Sequence, residues 1–177
     1  MNTSKNIQRG IHIQKNRGFT LLEALLGFLI LSIGMLGIAS LQAISLKAGK
    51  TSVYNSVAMM KVDELFESMR ANPTADALAE YAASGAGPGV NNSCTGTANC
   101  TGVALAQDDI FWWKKNLIAG LPNAVTTTTT ITTTPIVVSK MVLASVTINW
   151  EERNKDSEVA AAKSYTASTN ICTANPC

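Results

Sequence analysis

The sequence predicts an α+β protein: a long N-terminal α-helix, membrane-spanning over its first half, packed on a small antiparallel β-sheet domain with disulfide-bounded loops. Three observations carry the prediction. Residues 24–46 form a run of 23 positions without a charge, followed by an amphipathic pattern that continues to Asn72-Pro73. From residue 126 the chain changes to the alternation of short strands, rich in Thr, Val and Ile. Four cysteines fall as two close pairs, Cys94/Cys100 and Cys172/Cys177, in segments of Gly, Thr, Asn and Pro.

The apolar run sets the architecture. As a helix rising about 1.5 Å per residue it reaches about 35 Å, against a hydrocarbon core of about 30 Å. Lys5, Arg9, Lys15 and Arg17 precede it with no acidic residue among them, whereas Lys47 and Lys50 follow it. That bias predicts a single pass, with the N-terminus in the cytoplasm and the rest of the chain outside the inner membrane. A secretory signal peptide has an apolar stretch of about 7–15 residues that ends at a small-residue cleavage site, and this run is too long. An uncleaved anchor explains the span and its orientation but gives no reason for Gly18-Phe19 or for Glu23. A carboxylate in lipid costs roughly 2.5–3.5 kcal/mol, so Glu23 needs a cause. Gly27, Gly34 and Gly37, with Ser32 and Ser40, let helices approach closely in lipid and also weaken the helix locally.

Charge and composition exclude several functions. The whole chain is formally +2, but without the four leading cations it holds 10 basic and 12 acidic residues and is −2. The pI near 8.4 therefore describes a precursor and is no nucleic-acid signal. His12 is the sole histidine, and it also precedes the run. Residues 19–177 thus contain no Ser-His or Cys-His pair and no imidazole ligand, so no catalytic residue, cofactor or metal is expected. Asp108-Asp109 and Glu151-Glu152 are too ordinary to suggest a metal site. Cysteine pairs beyond a membrane anchor point to disulfides formed in an oxidising compartment. Of the three connectivities, the two local ones are favoured; C-x5-C and C-x4-C are not usual zinc spacings.

Beyond the run, Val53, Val57, Met60, Leu65 and Met69 approximate a helical stripe, with Met59, Met60 and Met69 as core filler. One helix of roughly 80 Å is expected from about Phe19 to Ala71, stopped by Asn72-Pro73. A short Ala-rich helix is expected at 74–83 and a long loop at 84–102. Residues 108–118 read as a further helix, capped by Asp108 or Asp109 and ended by Gly120-Leu121-Pro122. Its aromatics Phe111, Trp112 and Trp113 resemble a sugar or nucleic-acid platform, but at helical spacing beside aliphatics they read better as core. Three or four strands follow: 126–134, limited by Pro135 to an edge or a strand end, then 142–150, then 159–166. Residues 151–156 read as a polar turn. The threonine run reads as an exposed strand face before it reads as a glycosylation target.

Arg17-Gly18-Phe19-Thr20-Leu21-Leu22-Glu23 closely resembles the processing site of type IV prepilins. The resemblance extends over about residues 9–46. It implies a leader at 1–18 removed by prepilin peptidase between Gly18 and Phe19, N-methylation of Phe19, a filament-core helix at 19–46, its amphipathic continuation at 47–72, and a periplasmic domain at 73–177. A glycine at the scissile carbonyl suits an extended, accessible backbone. Cutting creates an amine four residues before Glu23, on the same face of a helix. In the family the corresponding glutamate neutralises the terminal amine of a neighbouring subunit; the alternative is a glutamate that snorkels or takes up a proton. Many major pilins carry a proline along this helix, and residues 19–71 have none.

Within the class, the chain looks most like PilV-type minor pilins, the type IV pilus modification proteins. Met35-Leu36-Gly37, Leu41-Gln42, Met69-Arg70-Ala71-Asn72-Pro73, Trp113 with Leu117, Leu121-Pro122 and residues 146–153 carry that likeness. It implies a low-abundance subunit, not an enzyme, that helps initiate pilus assembly at the tip and supports adhesion and twitching motility. The implied partners are other minor and major pilins, the inner-membrane assembly platform and a tip adhesin. A type II secretion pseudopilin shares the same N-terminal logic. A pilin-like DNA-uptake subunit is disfavoured by the −2 charge and the lack of clustered Lys/Arg, so no nucleic acid is expected.

Overall fold

The computed structural model describes residues 18–177 apart from 86, 97, 124, 137–138, 154–159 and 175–176. The leader with its cations and His12 lies outside the described residues, as do Asn154, Lys155 and Asp156 of the expected turn and Val159 of the expected last strand. The chain divides into two units, Met1–Leu46 and Lys47–Cys177. Helix α1, Leu21–Ala71, is continuous, as the absence of proline allows. Among the described residues it is the one helix long and apolar enough to cross a membrane. Its residues up to Leu46 are all exposed, which leaves their apolar side chains without a protein partner in the single chain.

In the second unit α1 buries Ala58, Val62, Leu65, Phe66 and Met69. These recur every three or four residues and make one face. The face differs from the expected stripe. Leu65 and Met69 belong to it, but Val53 and Met60 are 59% and 68% exposed, and Met59 is 50% exposed. At about 3.6 residues per turn, Met60 points roughly 160° away from both Ala58 and Val62. Two of the three methionines are therefore surface residues.

Helix α2, Ala75–Ser84, starts at Thr74, whose Oγ1 accepts the Ala77 amide at 3.3 Å. Helix α3 spans Gly102–Gly120 and starts at Thr101, whose Oγ1 accepts the Ala104 amide at 3.2 Å. It begins six residues before the expected Asp108 start, and neither aspartate is a cap. Ala106, Ile110, Trp113 and Leu117 form a buried face that reaches back into the supposed loop, and burial of that face extends the helix. Its end is as expected: the Leu121 amide donates to the Leu117 carbonyl at 3.1 Å, just before Pro122.

The sheet has three antiparallel strands, β1 (Thr128–Ile136), β2 (Met141–Glu152) and β3 (Ala161–Cys172), in the order β1-β2-β3. Pro135 sits near the end of β1, which is an edge strand. Glu151 and Glu152 extend β2 instead of turning, because they pair with Ala162 and Ala161. Period-two alternation sends Val142, Ala144, Val146, Ile148 and Trp150 inward. Pairing places Ile131 beside Val146 and Tyr165 beside Ile148. The opposite face is hydroxyl-rich, with Thr147 and Thr166 2.9 Å apart and Ser145 and Ser168 3.0 Å apart across the ladder. The threonine run follows this alternation, exposing Thr128, Thr130, Thr132 and Thr134 and burying Thr129.

One core joins the five elements α2, α3 and β1 to β3 to the second half of α1. The Trp113 indole fills part of it and donates from Nε1 to the Lys61 carbonyl at 2.6 Å, joining α3 to α1. Arg70 Nη2 donates to Thr169 Oγ1 at 2.7 Å and ties the end of α1 to β3. Gly85 lies against β1, where an added Cβ would meet Ile131 Cβ at 2.7 Å. Its carbonyl accepts from Thr129 Oγ1 at 2.6 Å, which satisfies that buried hydroxyl.

Trp113→Ala is expected to destabilise the domain by about 3–5 kcal/mol. Trp113→Phe keeps most of the volume but removes the indole donor to the Lys61 carbonyl, at a cost of about 1–2 kcal/mol. Urea unfolding followed by far-UV circular dichroism checks both; an unchanged unfolding free energy for Trp113→Phe would show that the indole hydrogen bond adds nothing.

Candidate functional site

Gly18-Phe19, the expected processing junction, precedes the first turn of α1. Thr20 caps the helix: its carbonyl accepts the amides of Glu23 at 3.1 Å and Ala24 at 3.2 Å, and its Oγ1 accepts the Glu23 amide at 3.3 Å. Glu23 occupies the third helical position, where the helix dipole favours an anion. Thr20-x-x-Glu23 is thus the sequence pattern of a capping box, a signal that the sequence reading passed over. Gly18 and Phe19 lie ahead of the helix and are exposed. Because α1 begins at Leu21, Phe19 and Glu23 do not stand one helical turn apart. In the uncut chain Phe19 carries a peptide nitrogen, and the expected pairing concerns the amine that cleavage would create.

The second unit carries its polar groups as braces. Asn72 closes α1 by donating from Nδ2 to the Gly102 carbonyl at 2.7 Å. The Tyr81 hydroxyl donates to the Asp109 carboxylate. Burial pushes the Tyr81 phenol well above its usual range, assisted by Asp109. Burial likewise raises Asp109, opposed by the Tyr81 hydrogen bond and reinforced by Asp108. Asp108 Oδ1 accepts the Asn92 amide at 2.7 Å, and Asn92 Nδ2 donates to the Ala104 carbonyl at 2.9 Å. The two aspartates expected to cap a helix instead fasten the loop and α2 to the side of α3.

That loop carries the first disulfide, Cys94–Cys100, with Cα atoms 5.9 Å apart. Cys172–Cys177 closes the segment after β3, with Cα atoms 5.8 Å apart. The loop runs close to α3: Gly89 has φ +74°, and a Cβ there would lie 2.5 Å from the Phe111 amide nitrogen. Of the aromatics on α3, Trp113 is core, whereas Trp112 is 41% exposed beneath the Lys115 ammonium, 4.7 Å from its ring centroid. Phe111 meets Trp112 edge-on at 5.3 Å. Phe111, Leu117, Ile118, Pro88 and the Lys114 and Lys115 stems border a cleft of about 480 Å³ beside β1.

Cations that are scattered along the sequence also converge. Lys47 and Lys50 from α1, Arg153 after β2 and Lys163 from β3 line a second cleft of about 420 Å³. The expectation of no clustered Lys/Arg is true of the linear chain but not of the fold. Among the described residues, no three His, Cys, Asp or Glu side chains converge as a metal set would.

Lys114 is buried and donates to the Gly87 carbonyl. Desolvation lowers its ammonium to about 8 from 10.5. Between those values the unfolded chain holds the proton that the folded chain has released, so stability rises with pH through that window. Tyr81 acts in the opposite sense only above its ordinary value near 10. Lys114→Met should flatten the rise in unfolding free energy between pH 8 and about 9.5. Urea midpoints across that range check it; an unchanged slope would assign the dependence elsewhere.

Two family models match the chain. Residues 13–39 match the prokaryotic N-terminal methylation motif, which includes the junction, the Thr20 cap and Glu23. Residues 40–111 match the model described as type IV pilin Tt1218, from the end of the apolar run to Phe111 on α3. No curated protein matches the chain, and no solved structure does. The two matches run without a gap from residue 13 to residue 111, and with the long helix on a three-stranded sheet they place the similarity of this chain among the type IV pilins.

Proposed function

We propose that the chain is a type IV prepilin, cut between Gly18 and Phe19, N-methylated at Phe19, and assembled as a minor pilin. The observation that carries the proposal is the continuity of the methylation motif with the pilin match, across a helix whose first half is exposed and, from Ala24 to Leu46, without a charge. Such a helix has two uses: it anchors in lipid before assembly and packs against sister helices afterwards. Val53, Met59 and Met60 add further apolar surface to the outer side of α1.

Glu23 acts as a register device in this reading. The amine formed on cleavage at Phe19 pairs, in this reading, with the Glu23 carboxylate of a neighbouring subunit. An unpaired charge in an apolar filament core is strongly unfavourable, and the entering subunit relieves it by supplying the counter-charge. The role is structural, and the partners are prepilin peptidase, other minor and major pilins, and the inner-membrane assembly platform. Residues 69–73 and 146–153 support a PilV-type subunit that primes assembly in a tip complex, with adhesion and twitching as the dependent traits.

The mass and N-terminal sequence of the mature protein test the assignment. Methylated Phe19 is expected; an intact leader overturns it. Replacing Gly18 with a bulky residue should leave the precursor uncut. Glu23→Gln should be processed at near wild-type yield yet be depleted at least about tenfold from sheared filaments. Wild-type recovery there would refute the register role. Deletion that abolishes twitching and spares exoprotein secretion is expected for the minor pilin; the reverse phenotype would assign a type II secretion pseudopilin.

A further inference from the structure

We propose that the cleft between α3 and β1 takes up an extended peptide segment of a partner protein, which adds to the sheet as a further strand. That segment places an apolar side chain in the cleft and a carboxylate against Lys115. An open sheet edge is the first support. Among the described residues the sheet has no strand beyond β1, and no backbone hydrogen bond from a turn or loop ends on residues 128–135. Such an edge presents a row of main-chain donors and acceptors that an incoming strand matches. Pro135 stands near the end remote from the cleft, so residues 128–134 keep their amides.

The second support is the cleft itself, about 480 Å³ beside the start of that edge at Thr127, Thr128 and Thr129. Phe111, Leu117 and Ile118 of α3 form its apolar wall, together with Pro88. An unpaired edge beside an apolar hollow is the geometry of strand addition. Main-chain bonds supply the affinity, and a pocket for alternate side chains supplies the specificity.

Lys115 sets the chemistry of the partner. It is exposed where it lines the cleft, and its ammonium rests 4.7 Å from the centroid of the neutral Trp112 ring. No Asp or Glu is among the described residues that line the cleft. A carboxylate on the incoming strand therefore meets an opposite charge without displacing another. The Lys114 ammonium is turned to the Gly87 carbonyl and has no part in this capture. Neither the edge nor the cleft depends on cleavage at Gly18 or on entry into a filament, so an uncut chain should bind equally.

The full-length protein in non-ionic detergent can be titrated with a fluorescein-labelled seven-residue peptide that alternates leucine and threonine and carries one glutamate. Anisotropy reads binding, with empty micelles as the blank. The peptide should bind at least about tenfold more tightly than its backbone N-methylated form, which cannot pair with an edge. Ile118→Glu should abolish binding. Lys115→Glu should weaken it about fivefold and reverse the preference toward the same peptide with lysine in place of glutamate. Both residues are exposed, and far-UV circular dichroism verifies folding of the variants. Equal binding of the N-methylated peptide, or unchanged binding in Ile118→Glu, would overturn the proposal. So would a Lys115→Glu chain that shows no reversal. A dimer of the wild-type chain that Ile118→Glu dissociates would overturn it too, by assigning the cleft to a second copy.

Discussion

One helix has to satisfy two environments, and the rest of the structure depends on how α1 does so. Up to Leu46 it exposes apolar side chains on every side, a surface that only lipid or other helices can cover. From Ala58 to Met69 it is one-sided, with a buried face against the domain and charges on the other. Nothing breaks the backbone between the two regimes, so the change is made by side chains alone. The domain forms where the helix first offers a single apolar face, and the proposed processing junction precedes the first turn of the same helix.

That buried face organises the packing. It shares a core with the inward residues of β2, which alternate strictly from Val142 to Trp150, and with the α3 face of Ala106, Ile110, Trp113 and Leu117. The polar braces all serve to hold short elements against this core. Asn72 joins the corner after α1 to the start of α3, Tyr81 reaches Asp109, and Asn92 is fastened by Asp108. Each buried polar atom is thereby satisfied among the described residues, as a low-dielectric interior requires. The disulfides close short loops at the margins of the domain and so contribute less than the core does.

The candidate site divides by the range of the interactions that make it. Thr20, Glu23 and the junction act within one turn of chain, and the T-x-x-E pattern was there to be read as a cap. The cation cleft is different. Lys47 and Lys50 are separated by about a hundred residues from Arg153 and Lys163, and no spacing rule links them. The sequence showed a net charge of −2 and no basic run, which is true of the chain as a string and misleading for its surface. The methionines make the same point on a smaller scale. Met59, Met60 and Met69 are alike in chemistry, but only Met69 lies on the helical face that the sheet covers.

By itself the sequence determined the long helix with its membrane-length run, its stop at Asn72-Pro73, the strand alternation and the local cysteine pairs. These follow from periodicity, chain stiffness and short loop closure, all of which act between near neighbours in sequence. Only the tertiary structure decided which face of α1 is covered, that α3 starts at Thr101, that Asp108 and Asp109 serve as braces, and that four distant cations share a cleft. Those outcomes depend on what lies opposite a residue in space. Burial, and not local propensity, extended α3 backwards and turned Met60 outward, and strand pairing brought Lys163 to the cleft.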